Sequence, residues 1–319
     1  MLDLDFAFTE EDSAAGRLDK AVLARAPGST RALVAACFAR GGVLADGRPA
    51  AKSDRPRPGA AVRVRGLAET ADRAVSPEPG PLAVVYEDAS LVAVDKPAGQ
   101  PCHPVAVGEG GTLAAALLAR YPEMGGVGGD PLMPGLLHRI DAGTSGLVLA
   151  ARTEAAFAAV RAQFASHSAR KIYLAEVEGD VARAGGVSGF LAHASSFRGR
   201  MRPVSGASLP KGERAMFAET FYRPLERLDG RTLLEVEIRT GVTHQIRCQL
   251  ASIGHPIVGD TTYGARGPSL SGPFGPLHRL HALSATIVLP STGREATLRT
   301  PPPPWAAHHQ GAPVPRVPS

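Results

Sequence analysis

The sequence predicts an α+β fold, with a large domain built on a mixed, mostly antiparallel sheet and a small basic domain before it. Helical and strand patterns follow one another between residues 82 and 299 without the strict alternation that a parallel sheet produces. Positive charge is concentrated in residues 14–66, which hold eleven Lys and Arg against three acidic residues, a net charge of +8. The whole chain of 319 residues carries only +5, so the rest sums to −3. A basic module therefore precedes a larger, slightly acidic one.

Composition excludes several classes of protein. Hydrophobic residues make up 44% of the chain, which is enough for a core and excludes a wholly disordered protein. The three cysteines (Cys37, Cys102 and Cys248) are too few for a disulfide framework and too scattered for a zinc site, which indicates a reducing cytosol. No apolar run has the length of a membrane span, and the acidic N-terminus lacks the features of a signal peptide. We therefore expect a cytoplasmic protein without a membrane partner.

The domain boundaries follow from changes in pattern. Residues 1–14 are expected to form an N-terminal extension and residues 15–66 the small domain. Residues 67–81 are rich in Ala, Pro and acidic residues without periodicity, which is typical of a linker. The large domain is expected over 82–299. Residues 300–319 contain four consecutive prolines followed by small and polar residues, which predicts a disordered tail.

Two helices and two strands are predicted in the small domain. In the helices, apolar residues recur at helical spacing. The first strand is marked by the Asp-Gly hairpin dipeptide that follows it, and the second by strict alternation of apolar and basic residues. The predicted elements are helices Arg17–Ala26 and Arg31–Arg40, the second capped by Ser29 or Thr30, and strands Val43–Ala45 and Ala61–Arg65. In the last strand valines alternate with arginines, so one face is apolar and the other basic. Such a unit fits a compact RNA-binding module.

The large domain is predicted to contain a hairpin, three helices and further strands. Turn residues, capping threonines and apolar runs mark their limits. The predicted elements are strands Ala83–Tyr86, Leu91–Val94, Gly146–Ala151, Ile172–Val177, Ala215–Tyr222 and Leu233–Arg239, and helices Thr112–Tyr121, Thr153–Ser166 and His244–Ile253. This mixture predicts the antiparallel sheet with helices against it.

A polar segment, His138–Leu149, is the strongest candidate for a catalytic site. The sequence contains no P-loop, nucleophile elbow, dinucleotide fingerprint or zinc-protease motif. Asp141 lies in a turn that leads into a buried strand. One interpretation is an Asx-turn, in which Asp141 only accepts a hydrogen bond from the amide of Gly143 or Thr144. The other is a partly buried carboxylate that an arginine keeps ionised.

Two further side chains are candidates for the same site. Thr243 is positioned to cap a helix, so Arg247 lies one turn inside its positive end. Arg247 is either the partner of Asp141 or an exposed helix arginine. Tyr173 lies on a strand whose alternation directs it to the same side as Lys171. It is either part of the site or an ordinary packed tyrosine.

Five segments together resemble the RluA family of pseudouridine synthases in order and nearly in spacing. They are DKPAG (95–99), HRIDAGTSGLVL (138–149), KIYLAEVEG (171–179), TGVTHQIRCQLASIGHPIVGDTTYG (240–264) and RLHA (279–282). Residues 15–66 resemble the αL RNA-binding domain, the S-four type named after a ribosomal protein, through the segments 16–20, 29–31, 41–43 and 46–47. The departures from the usual family residues are mild. Asp46 stands where the usual residue is Asn, and Ala142-Gly143 stands where a charged pair is usual. Val242 replaces an Arg, and Gln249 replaces a His.

The resemblance implies an enzyme that isomerises uridine to pseudouridine in RNA, in a catalytic domain with a central cleft and without a cofactor or metal. It implies that Asp141 is the essential carboxylate, that Arg247 keeps it ionised and that Tyr173 lies against the base. Arg139 is expected to occupy the space that the flipped nucleotide leaves or to hold its phosphate. The residues expected to touch RNA phosphates are Arg17, Lys20, Ser29 and Arg31.

The expected substrate is RNA, with ribosomal RNA of the large subunit favoured over transfer RNA, and the expected oligomeric state is a monomer. Two alternatives remain at this point. The first is an RNA-binding or ribosome-assembly factor without catalytic activity. The second is a nucleoside or glycoside hydrolase with Asp141 as nucleophile, which lacks an obvious second carboxylate near the motif.

Overall fold

A computed structural model of the chain describes residues 1–69, 74–104, 109–194, 199–204, 214–267, 270–272 and 275–309. The chain divides after Ser76 into two compact units, and this division lies inside the predicted linker. No described helix is long and apolar enough to cross a membrane.

The small unit contains a four-stranded sheet in the order β1-β4-β2-β3, with three short helices. Its elements are β1 (Leu2–Ala7), α1 (Glu10–Ala15), α2 (Leu18–Ala24), α3 (Arg31–Ala39), β2 (Val43–Ala45), β3 (Arg48–Pro49) and β4 (Ala61–Leu67). Thr30 rather than Ser29 caps α3 and accepts a hydrogen bond from the Leu33 amide. In β4 the valines are buried and the arginines are exposed, as the alternation predicts.

The expectation that residues 1–14 form an extension is wrong. Leu4 and Phe6 in β1 lie opposite Val64 and Val62 in β4, so the first strand completes the sheet. The segment LDLDFA has the period-two alternation of a half-buried strand, and this pattern was the signal available in the sequence. The Asp5 carboxylate accepts two hydrogen bonds from Arg65, both of 2.9 Å, which joins the acidic strand to the basic one.

The large unit is built on one sheet in the order β10-β9-β11-β12-β8-β15-β7-β6-β5, with β16 paired to β15. Its strands are β5 (Ala83–Glu87), β6 (Leu91–Lys96), β7 (Ser145–Ala151), β8 (Arg170–Glu178), β9 (Gly185–His193), β10 (Met201–Val204), β11 (Ala215–Leu228), β12 (Arg231–Ile238), β15 (Leu280–Val288) and β16 (Glu295–Arg299); β13 (Leu270–Gly272) and β14 (Gly275–Leu277) form a separate hairpin. The helices are α4 (Leu113–Arg120), α5 (Glu154–Ala165) and α6 (Gln245–Ser252). Every pairing in the large sheet is antiparallel except β15 with β7, so the predicted α+β class with a mixed, mostly antiparallel sheet is confirmed.

Gly146 allows the one parallel pairing to form directly beside the candidate site. It has φ of +107°, and a Cβ atom there would lie 2.2 Å from the carbonyl oxygen of Ala282 on β15. Because any larger residue would collide with backbone, this glycine lets β7 approach β15 closely. The turn that carries Asp141 is thereby anchored at the centre of the sheet.

The expectation of a disordered tail from residue 300 is wrong for the part that the structure describes. Thr300 is buried, and Pro304–His309 forms a short 3-10 helix. Ala306 and Trp305 pack against Leu174 and Leu233 on the sheet. The apolar indole stabilises this ordered contact. Residues 310–319 lie outside the described part of the chain.

Candidate active site

A cleft of about 840 Å³ opens in the large unit where several polar segments meet. The turn before β7, the start of β8, the end of α5 and the first turn of α6 all contribute to its wall. Asp141, Tyr173, Arg247 and Arg139 line this one cleft. The tertiary structure thus brings together four residues that are up to 108 positions apart in the sequence.

Asp141 lies in a tight turn and directs its carboxylate to an arginine. The Thr144 amide donates to the backbone carbonyl of Asp141, at 3.0 Å, and not to its side chain. The Asp141 Oδ2 atom instead accepts a hydrogen bond of 2.8 Å from Arg247 Nη1. The arginine-paired carboxylate is therefore the interpretation that the structure supports, and the Asx-turn alternative is wrong.

Arg247 lies between two carboxylates. Its Nε and Nη2 atoms donate to Asp260 at 2.7 and 2.9 Å, while Nη1 donates to Asp141. This fork geometry suits the planar guanidinium. Asp260 is part of the GDTTYG segment but was not identified as a site residue from the sequence, because a single Asp after a glycine has no distinctive pattern. Its burial at 1% exposure and its double hydrogen bond identify it in the structure.

Nearby positive charge keeps Asp141 ionised. Burial favours the neutral carboxyl, but the charge of Arg247 and its hydrogen bond outweigh it and hold the pKa of Asp141 below its ordinary value; a protonated His244 ring would lower it further. Burial also opposes the charge on Arg247, yet its hydrogen bonds and charge interactions with Asp260 and Asp141 raise its pKa further. The arginine is therefore a permanent cation beside an ionised carboxylate.

His244 is a second residue that sequence reasoning missed. The expectation that Thr243 caps α6 is wrong, since His244 occupies the N-cap position in a left-handed conformation, with φ of 53°. Its Nε2 atom lies 3.8 Å from Asp141 Oδ2, and its Nδ1 atom is 3.0 Å from the Tyr263 hydroxyl. A non-glycine residue held at positive φ is uncommon and stores backbone strain. Burial lowers the pKa of His244, which favours the neutral ring.

Tyr173 is buried on β8 and lines the cleft, as does Lys171 two residues before it. Their shared side of the strand matches the alternation predicted from the sequence. Burial and the neighbouring Asp141 charge raise the pKa of the Tyr173 phenol. The hydroxyl is therefore protonated at physiological pH and can donate a hydrogen bond.

Lys96 holds the turn that carries Asp141. Its side chain is completely buried, and its Nζ atom donates to the carbonyl oxygens of Pro97, Gln100 and Ala142, at 2.9, 2.7 and 3.2 Å. Burial lowers the pKa of Lys96 to about 8. Because Ala142 directly follows Asp141, this lysine ties the DKPAG segment to the carboxylate's backbone.

The residues predicted to contact RNA lie in both units. Arg139 is exposed at the cleft, with its guanidinium 3.0 Å from the His103 ring. Arg17, Lys20, Ser29 and Arg31 lie in the small unit. Arg17 pairs with Asp19, and the Ser29 hydroxyl donates to the Ala68 carbonyl. Lys20 and Arg31 are exposed side chains of α2 and α3.

Among the residues that the structure describes, no group of three or more His, Cys, Asp or Glu side chains could hold a metal ion. The three cysteines are free and buried.

Comparisons with known proteins place the chain in a family. A family model described as RNA pseudouridylate synthase matches residues 90–252. Ribosomal large subunit pseudouridine synthase D of Zymomonas mobilis is 38% identical over 224 residues, which cover 69% of this chain and 68% of that protein. An uncharacterized RNA pseudouridine synthase of Chloroflexus aurantiacus is 38% identical over 291 residues, covering 88% of this chain and 84% of its own length.

The solved structures agree with these sequence matches. The structure of human RNA pseudouridylate synthase domain containing 1 has a TM-score of 0.55 and 25% identity, over 70% of this chain and 86% of that one. The region matched by the family model includes Asp141, Tyr173 and Arg247, which the fold gathers in one cleft. The chain therefore belongs to the RluA family of RNA pseudouridine synthases and is an isomerase that acts on RNA.

Proposed function

We propose that the enzyme converts specific uridines of large-subunit ribosomal RNA to pseudouridine, with Asp141 as the essential carboxylate. The contact between Asp141 and Arg247 carries the catalytic part of this proposal. The names of relatives from Zymomonas mobilis and Xanthomonas campestris, both ribosomal large subunit pseudouridine synthase D, support the RNA target.

Asp141 is proposed to act on the sugar of the target uridine. In the reaction the bond from N1 to the sugar breaks, the base turns, and a bond forms from C5 to the same sugar carbon. Breaking a glycosidic bond gives the sugar oxocarbenium character, which an adjacent carboxylate stabilises or traps. An ionised Asp141 is required for either role, and Arg247 maintains that ionisation.

Tyr173 is proposed to contact the uracil and to take part in removing the C5 proton after the new bond has formed. Since its phenol is protonated in the free enzyme, it acts as a relay that receives the C5 proton while its own proton passes to solvent. N1 takes up a proton from solvent, so the reaction has no net redox change or hydrolysis. This accounts for the absence of a cofactor from the mechanism.

RNA binding is proposed to involve both units. A base in a stem must leave the stack to reach Asp141, at a cost of a few kcal/mol. Arg139, at the edge of the cleft, is proposed to fill the vacated space or hold the phosphate. The small unit, with its charge of +8 over residues 14–66, is proposed to be an αL domain that binds phosphates through Arg17, Lys20, Ser29 and Arg31.

Release of tritium from RNA labelled at uridine C5 tests the catalytic proposal. Wild-type enzyme should release tritium from a large-subunit ribosomal RNA transcript, and Asp141→Asn should not. Asp130→Asn is the matched control, because Asp130 is an exposed loop residue whose hydrogen bond to the Leu132 amide an asparagine can keep. Activity of Asp141→Asn, or no wild-type release from ribosomal RNA, contradicts the proposal.

The salt dependence of binding tests the proposed role of the small unit. Replacing Arg17, Lys20 and Arg31 together by Gln should reduce the slope of log Kd against log salt by about 2 to 3. Arg294→Gln, an exposed arginine in the turn between β15 and β16, is the control and should leave the slope unchanged. An unchanged slope in the triple variant would exclude this role.

We also propose that the enzyme acts as a monomer in the cytoplasm. All the residues that line the cleft belong to one unit of one chain, so no second copy is needed to complete it. Light scattering should give the monomer mass of 33.1 kDa. A stable dimer at working enzyme concentration would contradict the proposed oligomeric state.

A further inference from the structure

One end of the cleft carries a group of basic side chains that the proposed chemistry does not use. Lys171 and His138 lie against the ring of Phe164, Arg161 is bonded to the carbonyl of Leu137 beside His138, and all four residues line the cleft. They come from the start of β8, from α5 and from the segment before Asp141. We call these four residues the basic subsite.

Lys171 is a half-buried cation with little compensation. Its Nζ atom donates to the Thr240 carbonyl at 3.0 Å and lies 5.5 Å from the centre of the Phe164 ring. An ammonium group has three N–H donors, and the carbonyl accepts one of them. The amine lies beside Gly241, where a Cβ atom would be in ordinary van der Waals contact with it at 3.7 Å.

Arg161 and His138 complete the subsite. Arg161 donates to the Leu137 carbonyl at 3.1 Å, which holds the guanidinium beside the segment that carries His138. The His138 ring packs edge-on against Phe164, with ring centroids 5.4 Å apart. Its Nε2 atom accepts a hydrogen bond of 3.0 Å from the Leu149 amide. A neutral imidazole that accepts a hydrogen bond at Nε2 carries its proton on Nδ1, so Nδ1 can donate a hydrogen bond.

The charges of the subsite have no acidic counterpart. In the described part of the chain neither Lys171 nor Arg161 forms an ion pair with a carboxylate, in contrast to Arg247. Burial and the two cations lower the pKa of His138 to about 3, so the ring stays neutral. Lys171 is half-buried without an anion, which is unfavourable, and a bound anion would reduce this cost; Arg161 is exposed and adds positive charge beside it.

We propose that the basic subsite binds the phosphate of a nucleotide adjacent to the target uridine. The subsite rests on the proposed function, because it positions the same RNA strand whose uridine reaches Asp141. Lys171 and Tyr173 are two residues apart on one side of β8, a separation of about 7 Å, which is comparable with one nucleotide step along a strand. The strand would therefore run along β8 from the catalytic centre to the subsite.

The donor pattern favours a phosphate over a base. Lysine and arginine side chains only donate hydrogen bonds, and the acceptor nitrogen of His138 is already bonded to the Leu149 amide. A uracil would need an acceptor for its N3–H group, whereas a phosphate presents acceptors alone. The ring of Phe164 already contacts both His138 and Lys171, so it helps to orient these two side chains.

Steady-state tritium release and filter binding on a large-subunit ribosomal RNA transcript test the subsite. Lys171→Gln and Arg161→Gln should each raise KM roughly tenfold and lower the salt slope of binding by about 0.7 to 0.9, with kcat changed by less than about twofold. Lys171→Arg should restore KM. Arg170→Gln is the matched control, because Arg170 precedes Lys171 on β8, faces the other side and pairs with Glu237.

The outcomes separate the subsite from the proposed function. If wild-type enzyme releases no tritium, the proposed function fails, and the salt slope of Lys171→Gln still decides whether the lysine binds a phosphate. If wild-type enzyme is active but Lys171→Gln and Arg161→Gln keep its KM and salt slope, the subsite is wrong. A fall in kcat at unchanged KM, or an equal effect in Arg170→Gln, also overturns it.

Discussion

Asp260→Asn should destabilise the protein much more than Asp141→Asn, because Arg247 holds the two carboxylates in different environments. The Asp260 side chain is 1% exposed and takes two hydrogen bonds from Arg247, whereas the Asp141 side chain is 25% exposed and takes one. Asp260 therefore anchors the arginine, and Asp141 is the carboxylate that remains accessible to substrate.

The magnitudes follow from this geometry. An asparagine at position 260 keeps one acceptor but turns an N–H group towards the guanidinium, so a buried ion pair is broken, at a cost of about 3–5 kcal/mol. An asparagine at position 141 can still accept the single hydrogen bond, and Arg247 retains Asp260. The loss there should stay below about 1.5 kcal/mol.

Thermal unfolding followed by tryptophan fluorescence measures the difference. Trp305 is the only tryptophan of the chain and packs against the sheet of the large unit, so it reports on the unit that holds the site. Asp260→Asn should lower Tm by roughly 10 °C, and Asp141→Asn by no more than about 5 °C. Tritium release should be lost in Asp141→Asn. Equal destabilisation by the two variants would refute the different roles assigned to the two carboxylates.

Three further outcomes are expected. Burial lowers the pKa of Lys171 to about 8, so kcat/KM should fall as the pH rises through 8 and the lysine loses its charge. Lys171→Arg should make this fall smaller than in wild type, and a fall of unchanged size would contradict the assignment. Lys96→Met leaves three carbonyl oxygens without their donor, so it should lower the free energy of unfolding, measured by urea denaturation, by about 3 kcal/mol. Because the turn that carries Asp141 is released, kcat should also fall, by a larger factor than any change in KM. Tyr173→Phe should slow tritium release by roughly 100-fold with RNA affinity within about threefold of wild type, and an unchanged rate would exclude proton relay by its hydroxyl.

The elements that could be predicted from the sequence are those with a strong local pattern. Capping threonines correctly marked the starts of α4 and α5, Thr30 proved to be the cap of α3 out of the two candidates, and alternation predicted which side of β4 is buried. The prediction that Thr243 caps α6 was wrong because His244 adopts a left-handed conformation, which few non-glycine residues adopt. The prediction of a disordered tail was wrong because it depended on the run of prolines alone. In the structure, Trp305 packs against the sheet. Contacts with distant segments override local propensity in both cases.

By itself, the sequence determined the fold class, the position of the basic charge and the segment around Asp141, since these depend on periodicity, composition and motif. Only the tertiary structure decided which groups act on that carboxylate. Arg247, Asp260 and His244 reach the Asp141 region across more than a hundred residues of chain. Their distances set the charge state of Asp141, because electrostatic interactions in a partly buried site depend on spatial separation and not on separation along the chain.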